Sequence, residues 1–440
     1  MNIGFISLGC SKNRVDTEIM MAMVKKAGHR IVSSLEKADA VIINTCGFIE
    51  PAKEEAIKTI IETGKLKEHG SLKYLVATGC LSQRYGKELF DEMPELDGVV
   101  GISCFHSINE VLSEVVQGKR SIRVTPPSKV FSEKGSRILT TPLGSAYLKI
   151  TEGCSNRCTY CAIPGIRGSL RSRAEDELVQ EVEELTNQGV KEIVLIGQDT
   201  AAYGRDLANS SGLPGLLTRL NEIDSLAWIR LMYLHPAHIS NELINVLTRV
   251  NKVLPYLDIP IQHVSDHVLK RMNRKHDSAY LRAVIHKLRG QIENLVLRTT
   301  VMVGFPGEKE NDFEELYNFI SEVEFEWLGV FEYVPEDNTV AANLPDQVTS
   351  EVKSQRYHAI MALQRSITRK KNIQRLNSNQ QVLISSQIAK NLYIGRSYFQ
   401  APEVDGVTLV KTKNKLTKGE FTEVVLKAVR DYDVIGETTR

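Results

Sequence analysis

The stretch Ala146-Tyr-Leu-Lys-Ile150-Thr-Glu-Gly-Cys154-Ser-Asn-Arg-Cys158-Thr-Tyr-Cys161 decides how this chain is read. It opens as a short apolar run, the pattern of a buried strand, and leaves the end of that strand as a loop bearing a Cys-x-x-x-Cys-x-x-Cys run. Three thiolates on one short loop can wrap one face of an iron–sulfur cube and leave the fourth iron without a protein ligand, open to a substrate. A structural zinc site is the competing reading. Such sites are tetrahedral and closed, however, and no fourth Cys or His lies close to this loop.

Downstream, strands are expected at Glu192–Ile196, Ile229–Leu234, Tyr256–Ile261, Leu295–Val303 and Leu328–Tyr333, in alternation with helical patterns. With Ala146–Ile150 they make six strand–helix repeats, too few for a closed eight-strand barrel, so a partial parallel (β/α) barrel is expected. Upstream, strands at Ile3–Leu8, Ala40–Asn44, Tyr74–Thr78 and Gly98–Gly101 alternate with helices, the signature of a doubly wound α/β domain. Lys119–Thr141 carries Pro126, Pro127 and Gly135 without an apolar period and reads as a linker. After a long helical stretch, Ser350–Arg375, short strands spaced by turns suggest a small all-β barrel. The expected organisation is therefore residues 1–118, a linker at 119–141, a barrel with its connecting helix at 142–375, and a β domain at 376–440.

Cys10, Cys46 and Cys80 each directly follow an expected parallel strand. The carboxyl ends of such strands share one edge, where ligands bind, so these three thiols can converge and hold a second cluster. The alternative is that they are small buried hydrophobes, as cysteines often are; Cys104 is read that way.

The 440 residues carry a net charge of +1, with 42% hydrophobic and 25% charged residues, which suits a soluble multidomain protein and gives no overall attraction to nucleic acid or membrane. Seven cysteines without an export signal or membrane span argue for a reducing, cytoplasmic setting.

The cluster loop, with Tyr160 before its last cysteine and a barrel behind it, resembles the radical S-adenosylmethionine family. Adding the three-cysteine domain and the C-terminal β domain, the whole chain resembles the methylthiotransferases. That resemblance implies two 4Fe-4S clusters, one on Cys154, Cys158 and Cys161 and a second on Cys10, Cys46 and Cys80. The unique iron of the first chelates S-adenosylmethionine, and one electron yields a 5′-deoxyadenosyl radical. The small β domain resembles a TRAM domain. Leu8-Gly9-Cys10-Ser11-Lys12-Asn13, Arg298-Thr-Thr-Val-Met-Val-Gly-Phe-Pro-Gly-Glu308, Ala401-Pro-Glu-Val-Asp-Gly406 and Asp431-Tyr-Asp433 look like the RimO type. That type modifies the β-carbon of an aspartate in the twelfth small-subunit ribosomal protein; the MiaB type acts on tRNA adenosines and tends to carry Gly-Cys-Gln-Met-Asn at the first place.

Residues 380–440 hold nine Lys and Arg against seven Asp and Glu, a net of +2, a weak footprint for an RNA grip. The expected partners are thus a ribosomal protein or the small ribosomal subunit, a one-electron reductant and a sulfur source; direct nucleic-acid binding stays open. A tRNA methylthiotransferase and a non-enzymatic iron–sulfur electron carrier are the alternatives. Removing hydrogen from an unactivated carbon is work for the cofactors, so no general acid or base is singled out. Expected S-adenosylmethionine contacts are Tyr160 and the strand-end residues Gln198, Asp199, Gln262 and His263, since parallel barrels bind ligands at the carboxyl ends of their strands. Arg167, Arg171 and Arg173 can pair a carboxylate of cofactor or substrate, or lie solvated on the surface.

Overall fold

The structure, a computed structural model, describes residues 1–70, 72–128, 131, 133 and 135–439, with His69 described by its backbone alone. It divides into two compact units. One comprises Met1–Thr140, Thr151–Arg173 and Glu336–Thr339, the other Thr141–Ile150, Ala174–Pro335 and Val340–Arg440.

The first unit is built on a six-stranded parallel sheet in the order Arg30–Ile31, Asn2–Ser7, Ala40–Thr45, Tyr74–Gly79, Gly98–Gly101, Ser121–Arg123. Val41, Ile43, Leu75, Ala77 and Val99 are fully buried and pack with Ala56 and Ile60 from the helix Glu50–Gly64. Continuous apolar strands covered by helices are what a parallel sheet requires. The chain leaves two of these strands directly into Cys46 and Cys80, and a third reaches Cys10 through Leu8 and Gly9.

The linker expectation is corrected here. Ser121–Arg123 is the sixth strand, an edge strand whose polar composition hides it from apolar pattern; Arg123 pairs with Glu110 and Glu114 at 2.6 Å each. Further on, buried Arg137 reaches Glu18 at 2.7 Å and Thr140 donates its N–H to the same carboxylate, so this segment is pinned to the helix Ser11–Lys26. Four residues of the expected linker, 129, 130, 132 and 134, lie outside the described residues. The boundary at 142 also shifts in meaning, because Thr151–Arg173, the cluster loop, packs with the first unit. After Tyr74–Gly79 the chain forms two short helices, Cys80–Arg84 and Gly86–Glu92, broken at Tyr85.

The second unit contains the expected open array of six parallel strands, in the order Trp327–Glu332, Val296–Val303, Val253–Asp258, Trp228–Leu231, Glu192–Ile196, Ser145–Lys149. The 25-residue helix Ser350–Gln374 leads to a closed five-stranded barrel formed by Asn379–Ala389, Leu392–Arg396, Thr408–Lys411, Asp433–Thr438 and Phe421–Arg430.

The β barrel is fastened to the parallel sheet through one side chain from each of the six strands. Tyr147 donates to Glu403 (3.1 Å), Arg230 to the carbonyl of Tyr398 (2.7 Å), Tyr256 to Asp405 (2.6 Å) and Trp327 to the carbonyl of Phe399 (2.6 Å). Arg298 pairs with Asp405 at 3.4 Å, and Glu192 is held between Arg230 and Arg396. These residues occupy the first four positions of their strands, so the segment Arg396–Asp405 is fastened toward the amino end of the sheet.

Candidate metal centres and cofactor edge

The first unit gathers Cys10, Cys46 and Cys80. Cys10 is the N-cap of the helix Ser11–Lys26 and Cys80 the first residue of the short helix Cys80–Arg84. The three sulfurs are close enough to act on one another electrostatically: Cys10 raises the proton affinity of Cys46, and Cys10 and Cys46 raise that of Cys80. Two glycines make this approach possible. A Cβ on Gly47 would lie 2.6 Å from the backbone nitrogen of Leu81; one on Gly79, at φ +98°, would lie 2.3 Å from Asn44 Oδ1.

Burial pushes the Cys46 thiol up, opposed by a hydrogen bond from the backbone of Phe48; burial likewise pushes Cys80 up to about 12, against the pull of Arg167. Such thiols carry protons until a metal displaces them. Soft donors, three in number, converging from three loops fit one face of a 4Fe-4S cube with a corner left open.

Asn13 ties the loops together. Its Nδ2 donates to the carbonyls of Leu8 (3.1 Å) and Thr45 (3.0 Å), and its Oδ1 lies 3.6 Å from Cys80 Sγ. That oxygen also accepts from Arg167 Nη2 at 2.6 Å, and the same nitrogen is 3.3 Å from Cys80 Sγ. Arg167 Nη1 meets both oxygens of Glu152 at 2.8 Å, and Asp16 lies 3.6 Å away. From sequence Arg167 reads as a carboxylate ligand or a solvated residue; it is buried and engaged with Cys80. Asn13 carries no local sequence signal of its bridging role.

The second set, Cys154, Cys158 and Cys161, is half-buried on the loop between the short strand Thr151–Glu152 and the helix Ile163–Arg167. Pairing of Thr151–Glu152 with Arg171–Ser172 closes the base of this loop. Within it, Cys154 N–H donates to Gly168, Cys161 N–H to the carbonyl of Cys158, and Arg157 adopts a left-handed φ of 53°. Tyr160 is half-buried on the same loop. Ala162, next to Cys161, packs on a small apolar cluster of Cys80, Ile102 and Ile166, which brings the two cysteine loops of this unit together. Cys104 belongs to neither set and contacts Thr125 Oγ1 at 3.1 Å.

In the second unit, Gln198 and Asp199 follow the strand Glu192–Ile196, and Gln262 and His263 follow Val253–Asp258, so all four lie past carboxyl ends of parallel strands. Asp199 is buried and accepts from His238 Nδ1 (2.6 Å) and the N–H of His235 (3.3 Å). His235 Nδ1 in turn accepts from Ala237 N–H. Gln262 bridges to the neighbouring strand with a left-handed φ of 69°, its backbone paired with Thr300 and Met302. His263 is fully buried, which lowers its pKa to about 3; its Nδ1 accepts from Ser265 N–H and its Nε2 lies 3.9 Å from Glu308. Glu308 is pushed up to about 7 by burial, against the pull of Arg356 at 2.8 Å.

A parallel-strand core with a three-cysteine loop defines a radical S-adenosylmethionine enzyme, and residues 148–320 match the Radical SAM superfamily. Residues 2–101 match Uncharacterized protein family UPF0004 and residues 378–439 the TRAM domain. A protein of Syntrophomonas wolfei named ribosomal protein uS12 methylthiotransferase RimO is 61% identical over 99% of this chain and 100% of its own. One of the same name from a Thermoanaerobacter species is 47% identical over 99% of both chains. The chain belongs to the RimO family of radical S-adenosylmethionine methylthiotransferases. Among solved structures, the radical S-adenosylmethionine methyltransferase TsrM from Kitasatospora setae, with cobalamin and a 4Fe-4S cluster bound, shares the fold at a TM-score of 0.57 and 12% identity, over 78% of this chain and 77% of that one.

Proposed function

We propose that this enzyme places a methylthio group on the β-carbon of an aspartate in ribosomal protein uS12, and that it does so with two 4Fe-4S clusters. The observation that carries the reading is the presence in one unit of two separate cysteine triads, each of which would supply three thiolates to a cube and leave its fourth iron without a protein ligand. Cys154, Cys158 and Cys161 would hold the cluster that reduces S-adenosylmethionine; Cys10, Cys46 and Cys80 would hold the one that serves sulfur delivery. When bound, the first cluster supplies the electron that breaks a sulfonium bond, chemistry no side chain can provide.

The protein's own part is to bind, orient and keep water away. Gln198, Asp199, Gln262 and His263 are the proposed contacts at the carboxyl edge of the second unit, and Tyr160 is proposed from the cluster loop. Neutral His263 can offer or accept a hydrogen bond without adding charge beside a sulfonium cation. The reading further assigns the enzyme to the cytoplasm, with a one-electron reductant and a sulfur source as partners. No described helix is long and apolar enough to cross a membrane.

Anaerobically reconstituted protein should contain about eight irons per chain, and the C154A/C158A/C161A variant about four. Incubated with S-adenosylmethionine, a reductant and sulfide, the enzyme should convert one aspartate of uS12 to the form bearing SCH₃ in place of H, read by peptide mass spectrometry. Modification of tRNA and not of uS12 would reject the substrate; full iron retention in the triple variant would reject the ligand assignment.

A further inference from the structure

We propose that Arg167 sets the reduction potential of the cluster held by Cys10, Cys46 and Cys80, through the hydrogen bond it donates to the Cys80 sulfur. The proposal rests on the reading of that triad as a cluster site. Arg167 is not itself a ligand and sits on the other cysteine loop's own helix, six residues after Cys161.

The geometry separates this role from that of an ordinary buried ion pair. The main ion pair is with Glu152, which Arg167 Nη1 meets at 2.8 Å through both carboxylate oxygens. The second nitrogen is turned the other way, 2.6 Å from Asn13 Oδ1 and 3.3 Å from Cys80 Sγ, with the Asp16 carboxylate further off at 3.6 Å. Asn13 in turn donates to the carbonyls of Leu8 and Thr45, just ahead of Cys10 and Cys46. One guanidinium and one amide therefore span all three ligand loops. Both Arg167 and Cys80 are buried, so the interaction is little screened by solvent.

A positive hydrogen-bond donor on a ligating sulfur withdraws electron density and favours the more negative, reduced cluster; hydrogen bonds to sulfur and local charge are recognised determinants of cluster potential. Its loss makes reduction harder. Glu152 opposes Arg167, so removing the Glu152 charge should do the reverse.

The test uses the full-length chain in the C154A/C158A/C161A background, reconstituted with iron and sulfide, so that a redox titration followed by electron paramagnetic resonance reads one cluster. Arg167→Gln should lower the reduced-to-oxidised ratio at fixed potential at least tenfold, equal to about 59 mV for one electron. Arg167→Lys, which keeps the charge but not the forked geometry, should fall between, and Glu152→Gln should raise the ratio. Unchanged midpoints in both Arg167→Gln and Glu152→Gln at full iron content would overturn the proposal. Should Arg167→Gln fail to hold iron, Glu152→Gln decides alone: a positive shift supports it and none refutes it. An iron-free parent variant would instead remove the second-cluster reading, and this proposal with it.

Discussion

Gly79 shows how little room the first triad leaves. A methyl group there would sit 2.3 Å from Asn44 Oδ1 and 2.4 Å from the carbonyl of Thr45, on a backbone with φ +98°. Gly79→Ala is expected to cost about 1–3 kcal/mol in backbone strain alone. It should also displace Cys80 from Cys46, leaving about four irons per chain after reconstitution, from the cluster on the other loop only. Iron analysis beside a thermal melt checks both. The grouping of six cysteines into two sets of three shows in the sequence, through strand-end placement for one set and close spacing for the other. Arg167 and Asn13 could not be read that way, since their importance comes from contacts across more than 60 and 150 residues of chain that no local pattern encodes.

At the scale of elements, the strands with continuous apolar cores were legible. Glu192–Ile196 and Gly98–Gly101 lie where the pattern puts them, because full burial leaves an unbroken apolar run. The edge strands Arg30–Ile31 and Ser121–Arg123 were not, being short, polar and paired on one side. The segment Arg396–Asp405 likewise gives no sequence sign that it docks into the sheet. Asp405 is its most sensitive point: burial pushes its carboxyl up to about 6 from an ordinary 3.8, although Tyr256 and the N–H of Ala401 donate to it. A folded-state pKa above the unfolded one means that the protonated form is favoured on folding. Its stabilisation is complete below pH 3.8 and is lost as pH rises through about 6. Asp405→Asn keeps a neutral hydrogen-bonding group, so its stability relative to the parent should grow between pH 4 and 7, measurable as the difference in denaturation midpoint.

For the second unit as a whole, Glu192 has the opposite sign. Burial would raise its pKa, but Arg396 and Arg230 outweigh this and hold it at about 2, below an ordinary 4.5. Its contribution is present above pH 4.5 and disappears as pH falls through about 2. Glu192→Ala leaves two buried guanidiniums facing each other and should cost about 3–5 kcal/mol. Both tryptophans of the chain, Trp228 against Phe421 and Trp327 on the carbonyl of Phe399, report on this junction. Intrinsic fluorescence of the variant should therefore shift to longer wavelength at lower denaturant than the parent's. An unchanged midpoint would show that the junction is held by something else.

The six-point fastening at the amino end has a consequence for reach. A barrel clamped to the floor of the sheet cannot swing over the opposite rim, and strands of four to eight residues separate floor from rim by roughly 13–26 Å at about 3.3 Å per residue. Any macromolecule gripped by the barrel's outer wall must extend that far along the flank to present its target carbon. A short peptide could touch one place or the other, whereas an intact protein could span both.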